Sequence, residues 1–144
     1  VAFRSSDADV FAAGDVATAF HPRYGRHLRT EHWANALNGG PAAARSMLGQ
    51  DVTYDRLPYF YTDQYDFGME YVGWADAAHA DIVVRGDLDG LSFQAFWLVD
   101  GIVEAAMHAN QWDDGADPLK AVIGLQRPVD VARLADPDVP LTDL

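Results

Sequence analysis

The sequence predicts an α+β fold, in which a helical segment is followed by a sheet of antiparallel strands. Small apolar residues recur at helical spacing over residues 34–47, which indicates a helix packed closely against a neighbour. Four short strand patterns follow one another over residues 68–109, and Asp100-Gly101 separates the last two. An Asp-Gly pair is typical of a two-residue hairpin turn, and strands this close in sequence need no crossover helices. Helices packed on an antiparallel sheet are therefore expected.

The composition is that of a folded and acidic chain. Hydrophobic residues make up 49% of its 144 residues, charged residues make up 22%, and the formal net charge is −12. The negative charge argues against binding to nucleic acid, because Lys and Arg must neutralise the phosphate backbone. No apolar run approaches the roughly 18 residues that span a bilayer, no basic and apolar leader indicates export, and cysteine is absent. The sequence predicts a cytoplasmic protein without membrane segments, disulfides or thiolate metal sites.

The stretch Asp9-Val-Phe-Ala-Ala-Gly-Asp15 combines a short apolar run with a polar end. Residues 10–13 have the length of a buried strand, Gly14 frees the backbone, and Asp15 places a carboxylate where the strand would end. In open α/β sheets ligands bind beyond the carboxyl ends of the strands, so Asp15 would stand where a cofactor hydroxyl is held. An ordinary strand followed by a Gly-Asp turn fits equally well. Because this strand would have no neighbour earlier in the chain, we expect a segment of a longer protein.

A basic stretch follows and reverses the acidic balance locally. Residues 16–28 contain proline, glycine and several basic or imidazole side chains, and they predict an exposed loop. Arg23 and Arg26 lie within it, and Arg29 extends its positive end. The loop is either simply solvated or a surface that meets an acidic partner.

The predicted helix after this loop has a clear start and an irregular middle. Thr30 is the expected N-cap, and Glu31 lies in the first turn, where a carboxylate favours the helix dipole. Gly39-Gly40-Pro41 predicts a kink or break, because proline cannot donate a hydrogen bond to the carbonyl of Leu37. Gly49 is expected to be the C′ residue that ends the helix.

A polar connection over residues 50–56 predicts the boundary between an N-terminal segment, 1–50, and a domain formed by residues 57–144. The domain begins with Leu57-Pro-Tyr-Phe-Tyr-Thr-Asp-Gln-Tyr-Asp66, which is rich in aromatic residues. These rings are either core residues or, beside polar Thr, Asp and Gln side chains, the wall of a site for a flat conjugated ligand.

The remaining elements are predicted from strand patterns and helix caps. Strands are expected over residues 68–74, 81–87, 91–99 and 102–109. Asp117 and Pro118 predict the cap and first position of a helix that ends near Leu125, and a second short helix is expected over residues 129–134. The predicted architecture is a four-stranded sheet packed by terminal helices.

Several catalytic signatures are absent from the sequence. Neither a Walker loop nor a G-x-G-x-x-G motif occurs, so the chain cannot by itself supply the pyrophosphate site of a dinucleotide. The histidines lack metal-ligand spacing, as His27 and His32 illustrate, and no serine lies in a G-x-S-x-G context. No catalytic residue and no metal ligand is predicted.

Three stretches occur in an order that carries a family resemblance: Val10-Phe-Ala-Ala-Gly-Asp15, Arg29-Thr-Glu-His-Trp-Ala-Asn-Ala36 and Leu57-Pro-Tyr-Phe-Tyr-Thr-Asp-Gln-Tyr-Asp66. Together they resemble the C-terminal part of FAD-dependent ferredoxin reductases of the oxygenase-coupled, putidaredoxin-reductase-like type, in the pyridine nucleotide-disulfide oxidoreductase superfamily. The first stretch is shared by many flavoproteins, whereas the second and third are more specific to this branch. The resemblance covers the whole chain.

The resemblance implies an enzyme that takes hydride from NAD(P)H onto FAD and passes single electrons to an iron–sulfur ferredoxin. It implies that residues 1–50 end the FAD-binding domain and that residues 57–144 form a C-terminal domain that acts as the lid of the flavin. NAD(P)H would then bind to a domain absent from this chain. We accordingly expect that the isolated chain neither retains FAD tightly nor acts as a reductase.

The resemblance also implies roles for particular residues. In the family, the aspartate that matches Asp15, next to Gly14, binds the ribityl chain of FAD. The residue that matches Trp33 lies at a helix N-terminus against the polar edge of the isoalloxazine, where the helix dipole favours negative charge. The acid that matches Glu31 lies near the nicotinamide, and the pair that matches Phe60-Tyr61 helps to wall the flavin. Tryptophan often replaces the second residue of this pair in the family.

An interaction module is the alternative interpretation. Residues from Leu57 onward would then serve in ferredoxin docking or self-association, without catalysis of their own. Ferredoxins are usually acidic, so Arg23, Arg26 and Arg29 would form the docking face, while the acidic remainder of the chain would repel such a partner elsewhere. Homo-oligomerisation stays open, and a stand-alone binding domain unrelated to flavin is the third interpretation.

Overall fold

The computed structural model of the protein describes residues 2–144. The chain divides into two compact units, of which the first extends to Pro58 and the second comprises Tyr59–Leu144. The predicted α+β fold is confirmed, since helices occur together with two sheets built from antiparallel strand pairs.

The first unit contains a two-stranded sheet and one long helix. A 3-10 turn, Gly14–Val16, precedes strand β1, Thr18–His21, and strand β2, Arg26–Arg29; helix α1 comprises Trp33–Met47. β1 and β2 form an antiparallel hairpin, so the prediction of an exposed loop over residues 16–28 is wrong. The hairpin closes because Gly25, with φ +60°, supplies the left-handed conformation that its turn needs.

The predicted strand over residues 10–13 is also absent as a regular element. Phe11 makes one isolated antiparallel bridge with Arg4, and Val10 is half exposed. A strand is stable only when a neighbour pairs with it along its length, and the apolar run finds a single pairing partner here. Around it, a small buried cluster joins Phe3 to alanines 17, 42 and 43.

Helix α1 departs from the prediction at its start and in its middle. Its N-cap is His32 rather than Thr30, whose carbonyl instead accepts a hydrogen bond from Asn35 Nδ2 at 2.9 Å. The helix runs without a break through residues 39–41. Gly39 is buried where an added Cβ would lie 3.3 Å from Phe3 Cζ, so close packing against Phe3 outweighs the weak local helix propensity.

The end of α1 confirms the predicted C′ residue. Gly49 has φ +75°, and its N–H donates to the carbonyl of Ser46 at 3.0 Å. The N–H of Gln50 donates to the carbonyl of Arg45 at 3.1 Å. This pair of hydrogen bonds is a Schellman motif, which satisfies two terminal carbonyls of the helix.

The second unit is built on a five-stranded sheet, one strand more than predicted. Its strands are β3, Tyr59–Gln64; β4, Phe67–Gly73; β5, Asp81–Asp87; β6, Ser92–Val99; and β7, Ile102–Ala109. Their order across the sheet is β3-β4-β7-β6-β5. The four predicted strands correspond to β4–β7, and the aromatic stretch becomes the additional edge strand β3, because its aromatic side chains favour a pleated, half-buried surface.

The predicted hairpin at Asp100-Gly101 is confirmed. Val99 pairs with Ile102, and the two turn residues have φ +51° and +77°. Positive φ at both central positions defines a type I′ turn, which matches the twist of the strands that it joins.

Two short helices, α2 and α3, complete the second unit. α2 comprises Asp117–Gly124 and lies against β7 and β4, and α3 comprises Val131–Ala135 and lies against β5. The largest fully buried side chains come from the strands and these helices: Val72, Phe96, Leu98, Val103, His108, Leu119, Ile123 and Leu134. The core therefore lies between the helices and one face of the sheet.

The caps of these helices differ in part from the prediction. Asp117 is the first residue of α2 rather than its cap, which is Ala116, and the Asp117 carboxylate accepts a hydrogen bond from Lys120 Nζ at 2.7 Å. Asp130 caps α3 by accepting hydrogen bonds from the N–H groups of Ala132 and Arg133. The Asp117 carboxylate thus pairs with the Lys120 side chain instead of capping the helix as the local sequence predicts.

Candidate functional site

The first candidate site is the junction of the Gly14-Asp15 turn with the start of α1. Gly14 is buried with φ +75°, and a Cβ added to it would lie 3.5 Å from Ala36 Cβ. A larger residue would be strained in this left-handed conformation. The turn consequently lies against the first turns of α1, with the exposed Asp15 beside them.

Charged groups surround this junction closely. Arg29 Nε donates to the main-chain oxygen of Asp15 at 3.0 Å and lies 2.7 Å from Glu31 Oε1. Burial lowers the pKa of His32, while the Asp15 and Glu31 carboxylates oppose that effect. The structure therefore brings together Asp15, Arg29 and Glu31, three of the residues that the sequence singled out.

The N-terminus of α1 faces outward without a capping side chain. In the part of the chain that the structure describes, the N-cap residue His32 makes no side-chain capping hydrogen bond, and the first turn of α1 contains no acidic residue. Trp33, the first residue of α1, is 71% exposed. Free N–H groups and the positive end of the helix dipole make this end a donor to electron-rich ligand atoms, whereas the neighbouring Asp15 is an acceptor.

The three arginines predicted to meet a partner do not share one face. Side chains alternate along a strand, so Arg26, opposite His21, and Arg29, opposite Thr18, point to opposite sides of the hairpin. Arg23 lies in the turn, with its guanidinium carbon 5.8 Å from the centre of the Tyr24 ring. His21 is buried, and its Nε2 lies 3.0 Å from the carbonyl oxygen of Arg56.

The second candidate site lies on strand β3 of the second unit, where Phe60 and Tyr61 point to opposite faces of the sheet because they are consecutive. Phe60 stacks on Tyr71 with ring centres 5.0 Å apart, and the Tyr71 ring lies 5.3 Å from that of Trp97. Burial raises the pKa of Tyr71 to about 12. Tyr61 is 56% exposed on the other face. One flat ligand could contact only one of the two rings directly.

Beside Tyr61 lies a polar cluster that the sequence interpretation missed. The hydroxyl of Tyr59 donates to Glu70 Oε1, and His108 Nε2 lies 2.7 Å from Glu70 Oε2. The signal in the sequence was a histidine near the end of a mostly apolar strand, Ile102–Ala109, in which Glu104 is the other polar residue. Its partner Glu70 could not be identified from the sequence. Strands β4 and β7 are neighbours in the sheet, although β5 and β6 lie between them along the chain.

Neither a membrane-spanning helix nor a metal-binding cluster occurs among the described residues. Over residues 2–144, no helix is both long and apolar enough to cross a membrane. Within the same range, no group of three or more His, Cys, Asp or Glu side chains is arranged to hold a metal ion.

Comparison with known proteins places the second unit in a defined class. Residues 59–144 match the family described as "Reductase C-terminal", and the chain belongs to that family. The resemblance to ferredoxin reductases of oxygenase systems is confirmed by relatives that cover both units. The chain is 38% identical over 139 residues to the ferredoxin–NAD(+) reductase component of the anthranilate 1,2-dioxygenase system from Burkholderia cepacia. The matched region covers 96% of this chain and 34% of that protein.

Solved structures give the same result. The ferredoxin reductase for the CYP199A2 system from Rhodopseudomonas palustris has a TM-score of 0.84 and 28% identity, over 97% of this chain and 34% of that one. A chain of the covalent putidaredoxin reductase–putidaredoxin complex has a TM-score of 0.84 and 31% identity, over 98% of this chain and 33% of that one. The present chain spans about one third of the length of the curated relatives it matches.

Proposed function

We propose that this chain is the C-terminal part of an FAD flavoprotein that takes hydride from NAD(P)H and passes electrons singly to an iron–sulfur ferredoxin. The observation that carries the proposal is the exposed Asp15 carboxylate beside the uncapped end of α1. It occurs in a chain of which 96% is covered by similarity to a protein named as a ferredoxin–NAD(+) reductase component.

The residues of the first unit fit one end of FAD. Asp15 offers carboxylate oxygens to the hydroxyls of a ribityl chain, and Gly14 keeps the backbone in the conformation that brings Asp15 to α1. The free N–H groups at the start of α1, next to Trp33, suit the electron-rich edge of an isoalloxazine. Bound FAD would supply the chemistry of accepting a hydride and releasing electrons one at a time. These residues would orient it and stabilise negative charge.

Phe60 and Tyr61 are proposed to serve the flavin in different ways. Tyr61 is exposed and would supply the ring that walls the ligand, in the position where the family often has tryptophan. Phe60 stacks on Tyr71 on the opposite face and would hold β3 in place. Glu31, proposed to lie near the nicotinamide, is oriented by its ion pair with Arg29. NAD(P)H would bind outside this chain, which has no G-x-G-x-x-G loop.

Ferredoxin docking is proposed for the hairpin, with Arg23, Arg26 and Arg29 as candidate contacts. The similarity to a chain of the putidaredoxin reductase–putidaredoxin complex supports a ferredoxin partner. Since Arg26 and Arg29 point to opposite sides, only one side can meet the partner directly. In the complete reductase, charge reversal of Arg23 and Arg26 should weaken reduction of ferredoxin and spare reduction of a dye. Equal loss of both activities would disprove docking at that side. A cytoplasmic location and self-association remain predictions.

The flavin proposal is tested by FAD content. In the complete reductase that contains this chain, Asp15→Ala should weaken FAD binding roughly tenfold, which corresponds to about 1.4 kcal/mol and to the loss of a hydrogen bond to a charged group. Asp9→Ala, which removes another exposed carboxylate of the same unit, is the matched control. FAD titration by flavin fluorescence measures both variants. Equal affinity in the two would refute the role of Asp15, and a complete reductase that contains no flavin would refute the proposed function.

A further inference from the structure

We propose that Glu70 is a positioning residue, whose carboxylate ties the edge strand β3 to the interior strand β7 and thereby fixes the strand that presents Tyr61. The importance of Tyr61 for a ligand rests on the proposed function. The tie itself rests only on contacts within the second unit.

Strand register places one carboxylate between two donors. Glu70 lies on β4, directly opposite Tyr61 of β3 on one side and opposite His108 of β7 on the other. Tyr59 lies two positions before Tyr61 and therefore on the same face. The Tyr59 hydroxyl donates to Oε1 of Glu70, and His108 Nε2 lies 2.7 Å from Oε2. Each oxygen of the carboxylate thus holds a different strand.

The protonation states follow from the surroundings of the cluster. Burial acts to raise the pKa of Glu70, but hydrogen bonds from Tyr59 and His108 and favourable electrostatic interactions with His108 and Lys120 outweigh it, so that the pKa lies below its usual range. An ionised carboxylate only accepts hydrogen bonds, so both neighbours donate. Burial and the bond to Glu70 in turn hold the pKa of Tyr59 well above its usual range.

His108 is consistent with the same arrangement. It is 1% exposed, and among residues 2–144 no group lies within hydrogen-bonding distance of its Nδ1. A proton on Nδ1 would bury an unpaired N–H donor, which is costly. The proton therefore lies on Nε2, which donates a hydrogen bond to Glu70. The Trp112 ring closes this side, with its centre 5.2 Å from that of His108 at an interplanar angle of 86°.

Other charged and titratable groups face the cluster from β3 and α2. The Tyr61 ring centre lies 6.4 Å from that of Tyr59. Lys120 Nζ lies 5.9 Å from the centre of the Tyr59 ring, and it also pairs with Asp117 at 2.7 Å. Lys120 donates its hydrogen bond to Asp117, whereas the two oxygens of Glu70 are engaged by Tyr59 and His108.

The tie matters because β3 is an edge strand. Among residues 2–144, β4 is its one pairing partner, so its other edge gains no support from backbone hydrogen bonds within the sheet. A protonated carboxyl has lost its charge and has turned one oxygen into an O–H donor, so the two charge-assisted hydrogen bonds from Tyr59 and His108 cannot both persist. Protonation of Glu70 should therefore release β3, and with it Tyr61.

The test uses the 144-residue chain and amide hydrogen exchange resolved by residue. Tyr59→Phe removes only the hydroxyl that donates to Glu70. Glu70→Gln keeps the shape of the side chain but leaves one acceptor oxygen in place of two. Both should accelerate exchange in β3 roughly tenfold and leave β6 unchanged. Tyr61→Phe, which removes a neighbouring hydroxyl from the same strand, should leave β3 unchanged. The ring resonances of Tyr61 should shift in the first two variants.

The pH profile separates a positioning role from general destabilisation. Exchange in β3 of the unaltered chain, corrected for intrinsic rates, should accelerate as the pH falls through the folded pKa of Glu70, below its reference value of 4.5. Glu70→Gln should abolish this acid-dependent step. It should also lower the pH at which Tyr59 ionises, which is measured by the absorbance of the tyrosinate. Unchanged β3 exchange in Tyr59→Phe would overturn the proposal even if Glu70→Gln does not fold. Unchanged Tyr61 resonances would overturn the positioning role. No measurement involves FAD, so failure of the proposed function would leave these outcomes unaffected.

Discussion

The two units of this chain differ in the size of the side chains that form their buried cores. In the second unit Phe96 and Leu119 are fully buried, whereas in the first unit Phe20, Leu37 and Met47 are 54%, 55% and 59% exposed. The buried cluster of the first unit consists of one phenylalanine and three alanines. The second unit is thus stabilised by a core of its own, and the first depends on close contacts between small residues.

A second comparison concerns the two edges of the five-stranded sheet. Edge strand β5 is secured by Arg85, which donates to the carbonyls of Pro137 and Val139 at 3.2 and 3.0 Å. Edge strand β3 is secured by Glu70, which accepts from Tyr59 and His108. Each edge is therefore attached through one charged side chain, but only the carboxylate can be neutralised by lowering the pH.

The largest effect is expected from Phe96→Ala in the core of the second unit. Deleting a fully buried phenyl group should lower the free energy of unfolding of this unit by about 3–5 kcal/mol. Phe20→Ala, at an exposed position of the first unit, should change the stability by less than about 1 kcal/mol. Denaturant unfolding with hydrogen exchange resolved by unit measures both. Similar losses in the two variants would contradict the difference between the units.

A smaller loss is expected from Gly73→Ala at the end of β4. Gly73 has φ +91°, and an added Cβ would come within 2.3 Å of the Glu104 carbonyl oxygen. The backbone strain should cost about 1–3 kcal/mol, and relief of the contact should add to that. Gly124→Ala is the control, because nothing lies within 4 Å of its Cβ position. In thermal unfolding, the melting temperature of Gly73→Ala should be well below that of the control. Equal melting temperatures would contradict the predicted strain at Gly73.

The acid stability of the second unit should depend on Glu70. Its pKa is lowered in the folded state, so its contribution is present above the unfolded value and is lost as the pH falls through the folded pKa. The loss should amount to about 1–2 kcal/mol, as for hydrogen bonds to a charged group. Denaturant titrations at pH 7 and at acidic pH measure it. Glu70→Gln should have a flatter pH dependence; an unchanged slope would argue against the tie.

The smallest effect is a gain in the first unit. Gly40 lies inside α1 with nothing within 4 Å of its Cβ position, so Gly40→Ala should stabilise this unit by about 0.5–1 kcal/mol. Gly39→Ala is the matched variant and should gain less, because its Cβ would lie 3.3 Å from Phe3 Cζ. Amide hydrogen exchange in α1 reports unfolding of this unit. Equal gains would show that Phe3 yields easily and that the first unit is loosely packed.

Prediction from sequence succeeded where a local pattern had no strong competitor. The bounds of β5 and β7 and the turn at Asp100-Gly101 agree with the structure. It failed where a distant contact outweighed local propensity, as at Gly39, whose packing on Phe3 carries α1 through the expected break. It also failed at the hairpin of the first unit, where the many basic residues indicated an exposed loop although two strands pair there. The assignment of Asp15, Trp33 and Tyr61 to a flavin stays a prediction.

The sequence by itself determined the α+β class, most strands of the second unit, the Schellman end of α1 and the resemblance to ferredoxin reductases. These features depend on short-range periodicity, turn chemistry and contiguous motifs. Only the tertiary structure decided that residues 59–64 form an edge strand, that Arg26 and Arg29 lie on paired strands with opposite orientations, and that Glu70 meets His108. The physical reason is that strand pairing joins residues far apart in the chain: Glu70 and His108 are 38 positions apart, and no local pattern encodes which strands become neighbours.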